Sequence, residues 1–89
     1  MRAMRRDKNE EEIVAALRAA GAIVYPMDTP VDQLVMVNGE IFLVEIKKPK
    51  KGRLTKAQEK LIADGWPVHV VRTPEQALAA VGLPNEDKK

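Results

Sequence analysis

The sequence predicts a small mixed α/β fold, a sheet of about four strands with helices packed on it, in the order helix, three strands, helix, strand, helix. Three observations predict it. Helix starts can be read at Asn9, Thr55 and Thr73, with matching stops at Gly21, Gly65 and Gly82. Residues 31–37 and 40–48 flank Asn38-Gly39, a strong short signal for a tight hairpin, so the middle strands should run antiparallel. The helix between the third and fourth strands supplies the crossover that a parallel or mixed partner requires.

The elements follow in order. Residues 1–8 are polar and expected to fray. Asn9 reads as an N-cap with Glu12 as its capping-box partner, and Ile13, Val14, Leu17 and Ala20 continue at helical spacing. Residues 22–25 form a short apolar strand stopped by Pro26, and residues 27–30 turn. The two hairpin arms follow, the second ending at Pro49, and residues 50–54 form a basic loop. Thr55 with Gln58 is a complete capping box for the second helix, and residues 67–72 form the fourth strand. Thr73-Pro74-Glu75-Gln76 opens the third helix with an N-cap, a proline at the first helical position and a capping-box glutamine.

The chain has 89 residues, enough for one domain, with a core expected over about residues 8–82 and flexible termini at 1–7 and 83–89. It has no cysteine, which excludes a disulfide framework and cysteine-ligated metal sites, and its single His69 excludes any site needing two histidines from one chain. His69 sits in an apolar strand and reads as a packed or edge histidine. No apolar run approaches a membrane span, and the basic start leads into acidic residues unlike a signal peptide. A soluble, cytoplasmic protein is the expectation. Three aromatics, Tyr25, Phe42 and Trp66, are too few for a base-stacking platform. Trp66 reads as core or subunit interface.

Net charge is only +2, yet six of the ten residues from Lys47 to Lys56 are basic (Lys47, Lys48, Lys50, Lys51, Arg53 and Lys56) and none is acidic. Such a block fits a polyanion partner or a solvated hairpin tip.

The carboxylates carry more. At about 100° per residue, Glu10 falls between Ile13 and Val14 on the buried face of the first helix, whereas Glu11 and Glu12 point away. Along the second hairpin arm Ile41, Leu43, Glu45 and Lys47 share one face, and Phe42, Val44 and Ile46 the other. Pairing Val37 with Glu40 around the turn sets Asp32 opposite Glu45, with Lys47 two residues on. Like charges directly opposite destabilise a sheet. A hard divalent ion between them would remove the cost, and so would a structural Asp/Glu/Lys cluster at the sheet edge.

Glu10 on the first helix, Asp32, and Glu45-Ile46-Lys47 after a hairpin together resemble the PD-(D/E)xK nuclease superfamily, with its restriction-endonuclease-like core. Within it the chain looks most like the small stand-alone VRR-NUC (virus-type replication-repair nuclease) proteins of phage and bacteria. The similar segments are Asn9-Glu10 with Ile13-Val14 and residues 16–22; residues 31–35; residues 42–47; residues 54–58; and residues 67–73.

The resemblance implies a Mg²⁺- or Mn²⁺-dependent endonuclease in replication and repair, specific for DNA structure and acting on branched or Holliday-junction DNA. Asp32, Glu45 and the Ile46 carbonyl would hold the metal, and Glu10 would join as an outer or second-metal carboxylate. Lys47 would orient the attacking water or stabilise developing charge. Gln58 matches the family's glutamine after Leu-Thr, beside its capping-box reading. Lys48, Lys50, Lys51, Arg53 and Lys56 would hold the phosphate backbone. One departure is that Val31 separates Pro30 from Asp32, which leaves Asp28 as a rival ligand.

The alternative is a non-catalytic nucleic-acid-binding module using the basic loop 47–56. A two-fold junction needs two cuts, and Trp66, Pro67 and Leu83 lie outside the regular inward positions. A homodimer or higher even oligomer is therefore expected.

Overall fold

The computed structural model describes residues 8–29, 31–48 and 53–84. Of the expected flexible termini, 1–7 and 83–89, residues 1–7 and 85–89 lie outside the described residues, as do Lys50 and Lys51.

The hairpin forms around Asn38-Gly39, with φ of 51° at Asn38 and 85° at Gly39. Both central residues are left-handed, as a two-residue turn matching strand twist demands, and asparagine and glycine tolerate that region best. The turn joins β2 (Gln33–Val37) to β3 (Glu40–Ile46) in the expected register, from Val37↔Glu40 out to Gln33↔Val44. β1 (Ile23–Pro26) pairs antiparallel with β2, and β4 (Val68–Val71) pairs parallel with β3. The sheet order is β1-β2-β3-β4.

Three helices complete the fold: α1 (Lys8–Ala19), α2 (Lys56–Ala63) and α3 (Pro74–Ala80). α1 and α3 share one face of the sheet. Ile13 and Leu17 of α1 and Ala77 and Leu78 of α3 join Val24, Val35, Val37, Val44, Ile46 and Val71 in one core. α2 stands on the other face, where its Gln58 amide reaches Glu45. Strand alternation therefore divides the hairpin as the sequence predicts, with Val44 and Ile46 toward the core and Ile41 and Glu45 away from it.

The local differences have local reasons. α1 starts at Lys8, so Asn9 lies inside the helix and does not cap it. Its amide Nδ2 donates to the carbonyls of Lys47 (2.9 Å) and Arg72 (3.3 Å), fastening the first turn of α1 to the ends of β3 and β4. β1 includes Pro26, because an edge strand's end tolerates a missing N–H. β2 begins at Gln33, two residues late, since the Asp32 side chain takes a β3 N–H that a continuing ladder would give to backbone. Gln76 reaches the N–H of Arg72 at 2.7 Å, one residue before the Thr73 cap it was expected to serve. Trp66 is 55% exposed and so lies outside the core, whereas Leu83 packs against the core at the start of the expected loose tail. His69 is half-buried against the Phe42 ring, with ring centroids 5.7 Å apart.

Gly39→Val should lower stability by about 1–2 kcal/mol, because a branched side chain resists left-handed backbone. Urea unfolding measures this, and an unchanged midpoint would contradict the turn geometry.

Candidate functional site at the end of the hairpin

The register places Asp32 and Glu45 one rung beyond the last paired residues, Gln33 and Val44. Two backbone N–H groups hold their side chains there. The Asp32 N–H donates to Glu45 Oε1 at 3.2 Å, and the Ile46 N–H donates to Asp32 Oδ2 at 2.9 Å. Lys47 Nζ lies 3.0 Å from Glu45 Oε2. Asp32, and not its rival Asp28, is the aspartate that faces Glu45. A carboxylate that accepts N–H bonds keeps its charge inside a fold more cheaply than a bare one.

Glu45 is 3% exposed. Burial pushes its carboxyl above the ordinary carboxylate range, and the nearby Asp32 charge pushes the same way. The Lys47 contact and the Gln58 amide oppose both, without cancelling them. The balance leaves a carboxyl whose ionised form is only partly compensated.

Gln58 serves two partners. Its Oε1 accepts from the Thr55 N–H at 3.0 Å, and Thr55 Oγ1 accepts from the Gln58 N–H at 3.2 Å, which completes the capping box. The same amide acts on the Glu45 carboxyl, holding its pKa down against burial. The helix cap therefore sets where that amide stands, and the cap and site readings of Gln58 are compatible.

Glu10 is buried, and Glu11 and Glu12 are exposed, as the helical spacing predicts. Yet Glu10 is not placed beside Asp32 and Glu45. It accepts from Gln33 Nε2 on the helix-covered side of the sheet. Gln33 is 1% exposed, and its Oε1 has no hydrogen-bond partner among the described residues. A cleft of about 380 Å³ opens there, lined by Glu10, Arg18, Pro26 and Gln33 among others. Among the described residues no three histidine or acidic side chains gather as a metal-binding group.

Two carboxylates remain a fitting donor set for Mg²⁺ or Mn²⁺. Mg²⁺ keeps several waters and is commonly held by one or two carboxylates plus substrate phosphate. Asp32 and Glu45 supply hard oxygens on facing strand ends, at a position where an extra positive charge would relieve their repulsion.

Of the basic residues, Lys48, Arg53 and Lys56 are exposed, and the Lys48 carbonyl accepts from Arg72 Nη1 at 2.6 Å. Sequence reasoning missed Asn9 and Gln33 as supports of the site. Asn9 carried a signal that was read as a cap. Gln33 carried one too: a glutamine on the core face of β2 needs a buried polar partner, and Glu10 is the acid that helical spacing buries.

The raised pKa of Glu45 fixes a sign for the pH response. A carboxyl that binds its proton more tightly in the folded state adds stability below its unfolded pKa, and that stability is lost as pH rises through the folded value. Without metal, Glu45→Gln should therefore melt higher than the parent at pH 7, with the gap closing at pH 4. Thermal melts at the two pH values check this, and a lower melting temperature for Glu45→Gln at pH 7 would contradict the dominance of burial.

No protein-family model matches the chain, and no curated protein and no solved structure is significantly similar to it. The functional reading therefore stands on the geometry of these side chains.

Proposed function

We propose that this chain is a Mg²⁺- or Mn²⁺-dependent phosphodiesterase, a structure-specific DNA endonuclease acting on branched or junction DNA. The carrying observation is the meeting of Asp32, Glu45 and Lys47 at one hairpin end, where the Asp32 N–H and the Lys47 ammonium hold Glu45 and the Ile46 N–H holds Asp32. A module that merely binds phosphate gains nothing from buried carboxylates beside its basic segment, because they would repel the backbone.

Asp32 and Glu45 would hold the ion, with the Ile46 carbonyl at the adjacent backbone position. When bound, the ion would polarise the scissile phosphate and favour ionisation of water. The chain's own contribution is positional. The Asp32 N–H fixes one Glu45 oxygen and Lys47 the other, while the Ile46 N–H fixes Asp32. Lys47 is 14% exposed, so its ammonium works close to the site and not in open solvent. It would orient water at the phosphate or stabilise the charge that grows on its oxygens. Lys48, Arg53 and Lys56, with Lys50 and Lys51, would track the sugar–phosphate backbone without reading sequence. The preference for branched DNA rests on the resemblance to the VRR-NUC proteins.

Mn²⁺ should raise the melting temperature of the parent, and Asp32→Ala or Glu45→Ala should lose that response. A response kept in both variants would remove these residues from the site. Lys47→Ala should lose at least about a hundredfold in cleavage of duplex, flap or four-way-junction DNA, with near-parental binding. The paired substitution Lys48→Ala and Arg53→Ala should instead weaken binding and lower the slope of log affinity against log salt by roughly two. Normal cleavage by Lys47→Ala would overturn the nuclease reading and favour the binding module.

A further inference from the structure

The acid pair is covered on one flank and open on the other. On the β3–β4 side α2 stands near Glu45, with the Gln58 amide acting on its carboxyl and the exposed Arg53 and Lys56 around the start of the helix. On the other side lies β1, an edge strand with no further strand beyond it. Val24 of β1 is buried in the core, so Ile23 and Tyr25 are turned to the face that carries Asp32 and Glu45. Tyr25 pairs with Leu34, and Asp32 stands two residues before Leu34. Tyr25 and Asp32 are therefore diagonal neighbours across the strand pair, ~7–8 Å apart, a separation that an aromatic side chain spans. The Met27 N–H donates to the Asp32 carbonyl at 2.7 Å and ties the two strands together just beyond the ring. Tyr25 is 65% exposed.

The two flanks also differ in charge. Residues 19–46, which include β1, β2 and β3, contain no lysine or arginine, and the basic block begins at Lys47. A nucleic-acid strand lying across the acid pair would meet cations on the α2 side and an uncharged phenol ring on the β1 side.

We infer that Tyr25 is a substrate-binding residue of this site, stacking on the base of an unpaired nucleotide next to the phosphate held at Asp32 and Glu45. The inference rests on the phosphodiesterase reading, which puts a phosphate there, and it narrows the substrate to DNA that is single-stranded beside the cut. A continuous duplex keeps its bases inside and turns sugar and phosphate outward, and β1, β2 and β3 offer that backbone no cation. An unpaired nucleotide can turn its base outward, and every base has a π-face for an aromatic ring to meet. Such stacking is tolerant of sequence, as the phosphate contacts of the basic segment are. A single ring takes a single base, which asks less of the chain than the platform that three aromatics are too few to build. Leu34, half-buried beside the ring, extends the apolar floor toward Asp32.

Forked DNA and a fully paired duplex of equal length, bound in Ca²⁺ in place of Mg²⁺ so that affinity is read without turnover, test this. The parent should hold the fork about tenfold more tightly than the duplex. Tyr25→Ala should remove that advantage, and Tyr25→Phe should keep it. A fluorescent adenine analogue in the unpaired arm next to the branch should lose emission on binding the parent, as a stacked base does, and keep it with Tyr25→Ala. Tyr25→Thr, which suits an edge strand, gives the same reading should Tyr25→Ala fold poorly by circular dichroism. A fork lacking the bases beside the branch should bind the parent and Tyr25→Ala alike. Fork affinity unchanged in both the alanine and threonine variants overturns the inference, and so does an equal loss on the fork without those bases. Cleavage in Mg²⁺ separates the inference from the reading beneath it. A parent that cuts duplex and fork with equal kcat/KM, with Tyr25→Ala doing the same, overturns the stacking and leaves the phosphodiesterase standing. A parent that binds the fork through Tyr25 but cuts no DNA supports the stacking and overturns the phosphodiesterase.

Discussion

The turn at Asn38-Gly39 is the constraint on which the rest depends. Strand side chains alternate with a period of two, so a slip of one residue would send every side chain of the hairpin to the opposite face. The left-handed pair at the turn fixes one register, and that register does two things at once. It sends Val35, Val37, Val44 and Ile46 into the core under α1 and α3. It also delivers Asp32 to the rung of Glu45 on the other face. A slipped hairpin would lose both its core and its acidic pair, so folding and site assembly are one event.

The cost of that pair is handled by the backbone. An Asp in a strand competes for N–H donors, and here the competition is productive. Asp32 ends the ladder by taking the Ile46 N–H, while its own N–H goes to Glu45. Each of the two repelling carboxylates is thus held by a backbone N–H, Glu45 by that of Asp32 itself and Asp32 by that of Ile46, the neighbour of Glu45. The compensation is incomplete, as the upward-shifted Glu45 carboxyl shows. That incomplete compensation is what the proposed cation site rests on.

Much of this was legible in the sequence because the signals are short-ranged. The hairpin register needs four adjacent residues, and the Thr55–Gln58 box is complete within four. The burial of Glu10 follows from helical spacing alone. What was not legible depends on contacts distant along the chain. Asn9 resembles an N-cap locally, but its partners are the carbonyls of Lys47 and Arg72, 38 and 63 residues away. The sequence gives no measure of which backbone carbonyls a fold leaves unpaired at the ends of its strands. Glu10 shows the same limit. Its spacing fixes the face of α1 but not the side of the sheet on which that face lands. Its partner proved to be Gln33 and not the Asp32–Glu45 pair.

That misplacement is itself informative, because Asp32 and Gln33 are consecutive. Alternation turns one of them to each side of the sheet. Asp32 serves Glu45 on the face with α2, and Gln33 serves Glu10 on the face with α1. The first two residues at the mouth of β2 therefore connect the acidic pair to the buried end of α1 through a single peptide unit. Asn9 closes the same loop from the other direction, holding the carbonyl of Lys47 from the first turn of α1. Moving α1 would pull on Lys47 through Asn9 and on Asp32 through Gln33, on both sides of Glu45 at once. Glu10 then bears on the pair without touching it, by holding Gln33, the residue next to Asp32.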